Sequence, residues 1–105
     1  MAAVRKPVRG SKTGRPIMAA LDLLGRRWCL RILWELREAK LTFRALQAAC
    51  GDVSPSVLQQ RLKELNEAAL VEHDGEGYAL TRQARELQPI MLALHDWADG
   101  WAKRK

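Results

Sequence analysis

The chain has few of the residues that build covalent or metal-bound scaffolds. Of its 105 residues, two are cysteines, Cys29 and Cys50, and two are histidines, His73 and His95. Two cysteines cannot make a disulfide framework, so we expect reduced thiols and a cytoplasmic setting. No pair among these four residues has the spacing of zinc ligands, and we therefore expect no metal site.

Signals for membrane insertion, export and catalysis are missing as well. No apolar run reaches the ~18 residues that a membrane span needs, and the basic N-terminus is not followed by the apolar stretch of a secretory signal. The sequence has no Gly-rich phosphate loop, no nucleophile elbow and no paired His–carboxylate arrangement. We therefore expect neither a membrane protein nor an enzyme, and no cofactor.

What the sequence does contain is the composition of one globular domain with an uneven distribution of charge. It is 48% hydrophobic and 29% charged, with a net charge of +6. Residues 1–15 hold five basic residues and no acid, whereas residues 16–102 hold ten basic and twelve acidic residues. We interpret residues 1–15 as a flexible basic arm, which either binds phosphate or only keeps the chain soluble, and residues 16–105 as the folded domain.

Hydrophobic periodicity and turn signals predict a mainly helical chain with one small β-hairpin. Pro89 should kink or split the last helix, because its ring clashes with the carbonyl four residues back. Cys29 is expected in the core and Cys50 is expected to be more exposed, and a redox role for either thiol stays open. The predicted elements are helices at 16–24, 27–38, 42–50, 55–68 and 81–101, a strand stub at 40–42, and strands at 70–73 and 77–80 joined by the turn Asp74-Gly75.

The helices at 42–50 and 55–68 are joined by a tight turn and form a candidate helix-turn-helix, with Thr42 and Ser54 as N-caps. At ~100° per residue, the second helix has an apolar side that docks it onto the domain and a polar side opposite. Gln can pair with adenine and Lys with guanine, so the polar side suits a major groove, although an ordinary solvent-exposed helix looks the same. The apolar side is Leu58, Leu62, Leu65 and Ala69, and the polar side is Ser56, Gln59, Gln60 and Lys63.

A helix-turn-helix followed directly by a hairpin has the order of a winged helix. This order favours a DNA-reading face on the second helix over an ordinary solvent-exposed face. Further segments carry a resemblance that spans roughly residues 15–101: Pro16-Ile17, Leu21 to Trp28, Ile32 to Leu36, Phe43 to Leu46, Ser54 to Leu65, and Leu87 to Trp97. In their order and spacing, these segments resemble the HxlR-type winged helix-turn-helix transcriptional regulators, which are relatives of the MarR group. Each motif is short, and the specificity comes from their arrangement.

The resemblance implies a homodimer that is built through the terminal helices, binds a pseudo-palindromic operator in double-stranded DNA and controls transcription. Under this interpretation, the polar side of the second helix contacts bases, and Ser54, Arg44 and Arg61 contact phosphate. A small-molecule effector is to be sought at the dimer seam, where two tryptophans lie one helical turn apart. The residues expected at the dimer interface are Ile17, Leu21, Met91, Leu94, Trp97 and Trp101.

Three features depart from the family pattern. Family members often have Cys-Pro where this chain has Arg15-Pro16, and some use that cysteine to sense oxidants or electrophiles, so this switch is absent from the sequence. The hairpin carries Glu72, Asp74 and Glu76 but no Lys or Arg between residues 70 and 81, so we expect it to add little DNA affinity and the basic arm to supply the charge. A glycine often found early in the last helix is Ala84 here, which favours helix.

Two other functions stay open. A protein-interaction module could keep the winged-helix shape without reading DNA, and the acidic body and hairpin favour that alternative. An RNA-binding domain is disfavoured, because one Phe and one Tyr leave few platforms for base stacking. Salt dependence separates a DNA reader from an interaction module, since affinity for duplex DNA falls steeply as salt rises.

Overall fold

The computed structural model describes residues 15–104, so the predicted arm, apart from Arg15, lies outside the described residues, as does Lys105. The chain forms a winged helix, mostly helical with one two-stranded hairpin, which confirms the predicted fold class. None of the helices within the described residues is long and apolar enough to cross a membrane. The elements in chain order are α1 (Pro16–Leu24), α2 (Cys29–Glu35), α3 (Phe43–Ala49), α4 (Pro55–Glu67), β1 (Val71–Asp74), β2 (Gly77–Leu80), α5 (Arg82–Arg85) and α6 (Gln88–Arg104).

Local sequence signals define where three of the helices begin. Thr42 Oγ1 accepts a hydrogen bond from the N–H of Ala45 (3.1 Å), and Ser54 Oγ accepts one from the N–H of Val57 (3.3 Å). Thr81 caps α5 in the same way. The predicted caps are therefore confirmed, and each satisfies a backbone donor that the first turn of a helix would otherwise leave unpaired.

Two helices differ from their predicted bounds. α2 is shorter than the predicted 27–38, because Trp28 has a left-handed backbone (φ 82°) just before it and Leu36 leaves the helical conformation just after it. The predicted last helix is split into α5 and α6, and Pro89 lies in the first turn of α6, where its missing N–H is not needed. Ala69 was expected on the apolar side of α4, but it lies beyond the helix with φ 62° and is exposed, so that prediction is wrong.

The hairpin has its turn one residue later than predicted. β1 and β2 are antiparallel, with Val71 opposite Leu80 and Asp74 opposite Gly77, so residues 75 and 76 form the turn. Asp74 is itself a paired strand residue, and its Oδ1 accepts the N–H groups of Glu76 (2.7 Å) and Gly77 (3.2 Å). Asp74, which was predicted to be part of the turn, thus stabilises the turn from the last position of β1.

A short segment before α3 adds a third line of backbone pairing to the hairpin. The N–H of Leu41 donates to the carbonyl of Tyr78 (3.0 Å), and the N–H of Tyr78 donates to the carbonyl of Leu41 (2.7 Å), which confirms the strand stub at 40–42. This close approach requires Gly77, because a Cβ there would lie 2.5 Å from the carbonyl oxygen of Leu41. The segment brings Lys40 beside the hairpin, where its positive charge lies close to the hairpin carboxylates.

The core lies between α2, α3, α4 and the hairpin. Cys50 is only 1% exposed, so the prediction that it is more exposed is wrong. The residue closes α3 through a bond from its N–H to the carbonyl of Leu46 (3.0 Å), and its side chain joins the core. Burial raises the pKa of the thiols of both Cys29 and Cys50. The largest fully buried side chains are Ile32, Leu33, Leu46, Leu58, Leu65, Val71 and Leu80.

The first turns of α6 pack against α2. The side chain of Gln88 donates to the carbonyl of Arg37 (2.8 Å), and the ring of His95 stacks on Trp34 with centroids 5.6 Å apart. Met91 is 6% exposed and belongs to the core of the single chain. Its predicted place at a dimer interface is corrected accordingly, because burial in the core leaves its side chain almost no surface for another chain.

Candidate nucleic-acid interface

The second helix of the helix-turn-helix is α4, and its two sides divide largely as the sequence predicted. Leu58, Leu62 and Leu65 are at most 2% exposed and dock the helix onto the core. The opposite positions are all exposed and share one face, because they are spaced by three and four residues along α4. We call this face the reading face; its residues are Ser56, Gln59, Gln60 and Lys63.

Two of the three predicted phosphate contacts lie at exposed positions around the turn. Ser54 is the exposed N-cap of α4, where its oxygen accepts a backbone N–H and its own O–H can still be donated. Arg44 is exposed in the first turn of α3. These residues place a hydroxyl and a guanidinium at the N-terminal ends of the two helices, where phosphate contacts are common in helix-turn-helix proteins.

The third predicted phosphate contact, Arg61, is engaged within the chain. Its Nε donates to the carbonyl of Arg27 (2.9 Å), and its Nη1 lies 3.2 Å from Oε1 of Glu64. Arg61 thus ties α4 to the junction between α1 and α2 (residues 25–28), and 23% of its side chain is exposed. Neither this role nor the pairing with Glu64 was predicted from the sequence, although a spacing of three residues on a helix is a signal for an ion pair.

The hairpin lies beside the reading face across an open groove of about 340 Å³. Part of its lining is aromatic: the ring of His73 stacks on Tyr78 with centroids 4.0 Å apart, and Phe43 lies tilted against Tyr78 at 6.4 Å. Gln59 of α4 lines the same groove. The reading face and the hairpin therefore share one concave surface, as a winged helix requires if both are to approach one duplex.

The hairpin carries less uncompensated negative charge than its own sequence indicated. Lys40 Nζ pairs with the carboxylate of Asp74 and lies 3.6 Å from Oε1 of Glu76. The hydrogen bond from Lys40 lowers the pKa of Asp74, and the same bond raises the pKa of Lys40. The expectation that these carboxylates face no cation held only within residues 70–81, because the cation comes from the segment that pairs with β2.

A second set of exposed positions consists of apolar side chains on α1 and α6. Five of the six residues predicted at a dimer interface are exposed in the single chain, Met91 being the exception. The ring of Trp97 stacks on that of Trp101 with centroids 5.6 Å apart. A chain of this size rarely leaves so many large apolar side chains exposed to water. We call these five the terminal-helix surface; their exposed fractions are Ile17 58%, Leu21 57%, Leu94 49%, Trp97 55% and Trp101 45%.

Comparison with known proteins places this architecture among transcription factors. The model of the HxlR-like helix-turn-helix family matches residues 23–105. A relative from Bacillus subtilis (strain 168), the HTH-type transcriptional regulator YvaP, is 33% identical over 89 residues, which cover 78% of this chain and 82% of the relative. The family and this relative are transcriptional regulators and not enzymes.

Solved structures show the same fold. The quinone-bound YodB from B. subtilis superposes with a TM-score of 0.75 and 31% sequence identity, covering 80% of this chain and 96% of that one. A transcriptional regulator of the MarR family from Enterococcus faecalis V583 superposes with a TM-score of 0.73 and 23% identity, covering 94% of this chain and 96% of that one. The second likeness shows the fold alone.

Proposed function

The chain belongs to the HxlR-like helix-turn-helix family and is a DNA-binding transcriptional regulator of the HxlR/MarR type, and from this premise we propose that it reads a pseudo-palindromic duplex operator as a homodimer. The observation that carries the proposal is the reading face of α4. It is polar and exposed along its length, while the opposite side of the same helix is buried. A helix built in this way can enter a major groove without losing its contact with the core.

The proposed contacts divide into base readers and phosphate contacts. Ser56, Gln59, Gln60 and Lys63 read bases, while Ser54 and Arg44 contact phosphate. Truncating a base reader should relax specificity at one base pair and cost about 1–3 kcal/mol, whereas truncating a phosphate contact should weaken all sequences alike. Arg61 stays a proposed phosphate contact through its remaining N–H groups, because only its Nε and Nη1 are bound within the chain and 23% of its side chain is exposed.

The homodimer rests on the terminal-helix surface. If two copies pair through this surface, each copy removes five large apolar side chains from water. Burial of apolar area stabilises such a pair by roughly 25 cal/mol for each Å². Such a pairing repeats the reading face around a twofold axis, and a pseudo-palindromic operator follows from that symmetry.

We propose that a small hydrophobic effector binds at the same dimer interface, next to the stacked pair Trp97 and Trp101. The effector proposal fails if aromatic ligands change neither tryptophan fluorescence nor the melting temperature.

Binding to duplex DNA from the region upstream of the protein's own coding sequence tests the proposal. Fluorescence anisotropy would be measured with the full chain, that duplex and a scrambled duplex, each at two salt concentrations. We expect tighter binding to the upstream duplex and a steep loss of affinity with salt, with a slope near −0.9 for each phosphate contacted. Gln59→Ala and Gln60→Ala should each reduce the preference for the upstream duplex. Equal, salt-sensitive binding to both duplexes would favour the interaction module instead.

The basic arm is proposed to supply affinity that the hairpin does not. Deleting residues 2–14 removes four basic residues, namely Arg5, Lys6, Arg9 and Lys12. We expect weaker binding to every duplex and a salt slope that is smaller by up to about four, while the preference for the operator is kept. The control is replacement of the same residues by a neutral Gly/Ser segment of equal length. Unchanged affinity at low salt would contradict this role.

A further inference from the structure

A network of polar side chains holds one base reader from behind. Glu64 lies on α4 one turn after Gln60, and 15% of its side chain is exposed. Its Oε2 accepts a hydrogen bond from Nε2 of Gln60 (2.9 Å). Its Oε1 lies 3.2 Å from Nη1 of Arg26, in the junction between α1 and α2, and 3.2 Å from Nη1 of Arg61 on α4. One carboxylate thus joins the reading face to two cations that border the junction between α1 and α2.

The carboxylate of Glu64 stays ionised in this setting. Partial burial raises the pKa of Glu64, but hydrogen bonds from Gln60 and Arg26, together with the charges of Arg26 and Arg61, outweigh burial and lower that pKa below its usual value. An ionised carboxylate only accepts hydrogen bonds. Gln60 must therefore turn its NH₂ group toward Glu64, which settles an orientation that a free amide would leave open.

The fixed amide limits which base Gln60 can recognise. One N–H of its Nε2 is bound to Glu64, so its carbonyl oxygen and its second N–H are left for a base. Adenine offers a donor and an acceptor on its major-groove edge, and cytosine offers a donor, whereas guanine offers two acceptors. The remaining N–H and the carbonyl oxygen together match the acceptor and the donor of adenine, and the oxygen alone matches the donor of cytosine. Guanine can accept from the one N–H, but its second acceptor then faces the carbonyl oxygen and repels it, so the held amide favours adenine or cytosine over guanine.

We propose that Glu64 is a positioning residue that sets the base preference of Gln60 by holding the orientation of its side-chain amide. This inference rests on the proposed function, because it concerns the same reading face. Glu64 does not touch DNA in this proposal. It acts through Gln60, while Arg26 and Arg61 keep the carboxylate charged and in place.

Selection from a random duplex library, followed by sequencing, tests the proposal with the full chain. Glu64→Gln is the main variant, because an amide at position 64 can donate or accept and lets Gln60 turn over. The preference of the wild type for adenine or cytosine over guanine should fall at least about fivefold at one base pair of each half-site. Gln60→Ala should lose preference at that same base pair. The other positions of the site should keep theirs.

Controls separate positioning from general damage. Glu72→Gln makes the same chemical change on the exposed β1 strand and should leave the base preferences unaltered. Glu64→Asp keeps the charge but withdraws the carboxylate by one methylene, and it serves if Glu64→Gln does not fold by thermal melting. We expect Glu64→Asp to relax the same base pair.

Each result has a distinct meaning. A folded Glu64 variant with the preferences of the wild type overturns the proposal for Glu64 while leaving the proposed function intact. Loss of preference at every position also overturns it, because that result indicates a general structural role. If the wild type itself enriches no sequence, the proposed function fails and this inference fails with it.

Discussion

Two helix ends share one backbone geometry but carry different residues. Gly51 follows α3 with φ 76°, and Ala69 follows α4 with φ 62°. At each end, the N–H of Gly51 or Ala69 donates to the carbonyl three residues before it (3.0 Å). The N–H of the residue that follows, Asp52 or Leu70, donates to the carbonyl five residues before that residue (2.9 Å). Both ends are Schellman motifs, in which glycine is the favoured residue at the left-handed position. Ala69 therefore retains strain that Gly51 avoids.

Exchanging the residues at these positions should move stability in opposite directions. Ala69→Gly should raise the free energy of unfolding by about 1 kcal/mol, because glycine adopts φ near 60° without a clash of Cβ. Gly51→Ala should lower it by about 1 kcal/mol or more. Urea unfolding followed by circular dichroism measures both. Ala68→Gly, one residue earlier at φ −86°, is the control and should destabilise. A stabilising Gly51→Ala would contradict the assignment.

The two thiols should be inert in the folded protein. Cys29 and Cys50 are at most 1% exposed, and burial raises the pKa of both, so little reactive thiolate forms at neutral pH. We expect a thiol reagent such as Ellman's reagent to label the native chain at least about a hundredfold more slowly than the chain in guanidinium chloride. The same reagent should leave DNA affinity unchanged. Rapid labelling of native protein would instead support a redox role.

At the scale of elements, the hairpin depends on a distant segment, since Lys40 and Asp74 are 34 residues apart in the sequence. Leu41 pairs with Tyr78, and this pairing places Lys40 against Asp74 and Glu76. The lowered pKa of Asp74 means that its contribution to stability is present above its unfolded pKa and is lost as pH falls through the folded value. The raised pKa of Lys40 means that its contribution is lost only as pH rises through that higher value.

Removing the cation should change the titration of the hairpin. Lys40→Met should raise the pKa of Asp74 toward its ordinary value, though not completely, because the backbone N–H groups of Glu76 and Gly77 still bind it. Carboxyl NMR signals followed through a pH titration measure this change. Lys63→Met removes an exposed cation from α4 and is the control. An unchanged pKa of Asp74 in Lys40→Met would show that the pair does not form in solution.

At the scale of the whole molecule, the first part of α6 joins the core, whereas large apolar side chains farther along the helix are exposed. Near the start of α6, Gln88 donates to the carbonyl of Arg37 and Met91 is buried, while Leu94, Trp97 and Trp101 are about half exposed. Along one helix, contact within the chain thus gives way to a surface suited to contact between chains. In the proposed homodimer, the distance and angle between the two reading faces depend on this surface, although it lies on other helices.

A charge on this surface should separate the copies. Leu94→Glu should weaken dimerisation at least about a hundredfold, because each dimer loses two buried leucines and gains two carboxylates. Sedimentation velocity over a range of concentrations measures the change, and operator affinity should fall with it. Leu30→Glu places the same charge at an exposed leucine of α2, outside the terminal-helix surface, and should leave the dimer intact. A monomeric wild type at tens of micromolar would contradict the interface.

The sequence by itself determined the features that depend on neighbouring residues. Three features are local, because they follow from side chains within one or two helical turns: the caps at Thr42 and Ser54, the helix break just before Pro89, and the two sides of α4. Such local signals predicted a helix-turn-helix followed directly by a hairpin, and that order is the order of a winged helix. The reading face could be predicted for the same reason, since helical spacing alone separates it from the buried leucines.

Only the tertiary structure decided which residues meet across long separations in the sequence. Lys40 joins the carboxylates of the hairpin, Arg61 turns inward to Arg27 and Glu64, and Met91 enters the core. Helical spacing shows which face a residue occupies, but it does not show what lies opposite that face. That depends on how the helices pack, and packing follows from the burial of the whole core and not from any one segment.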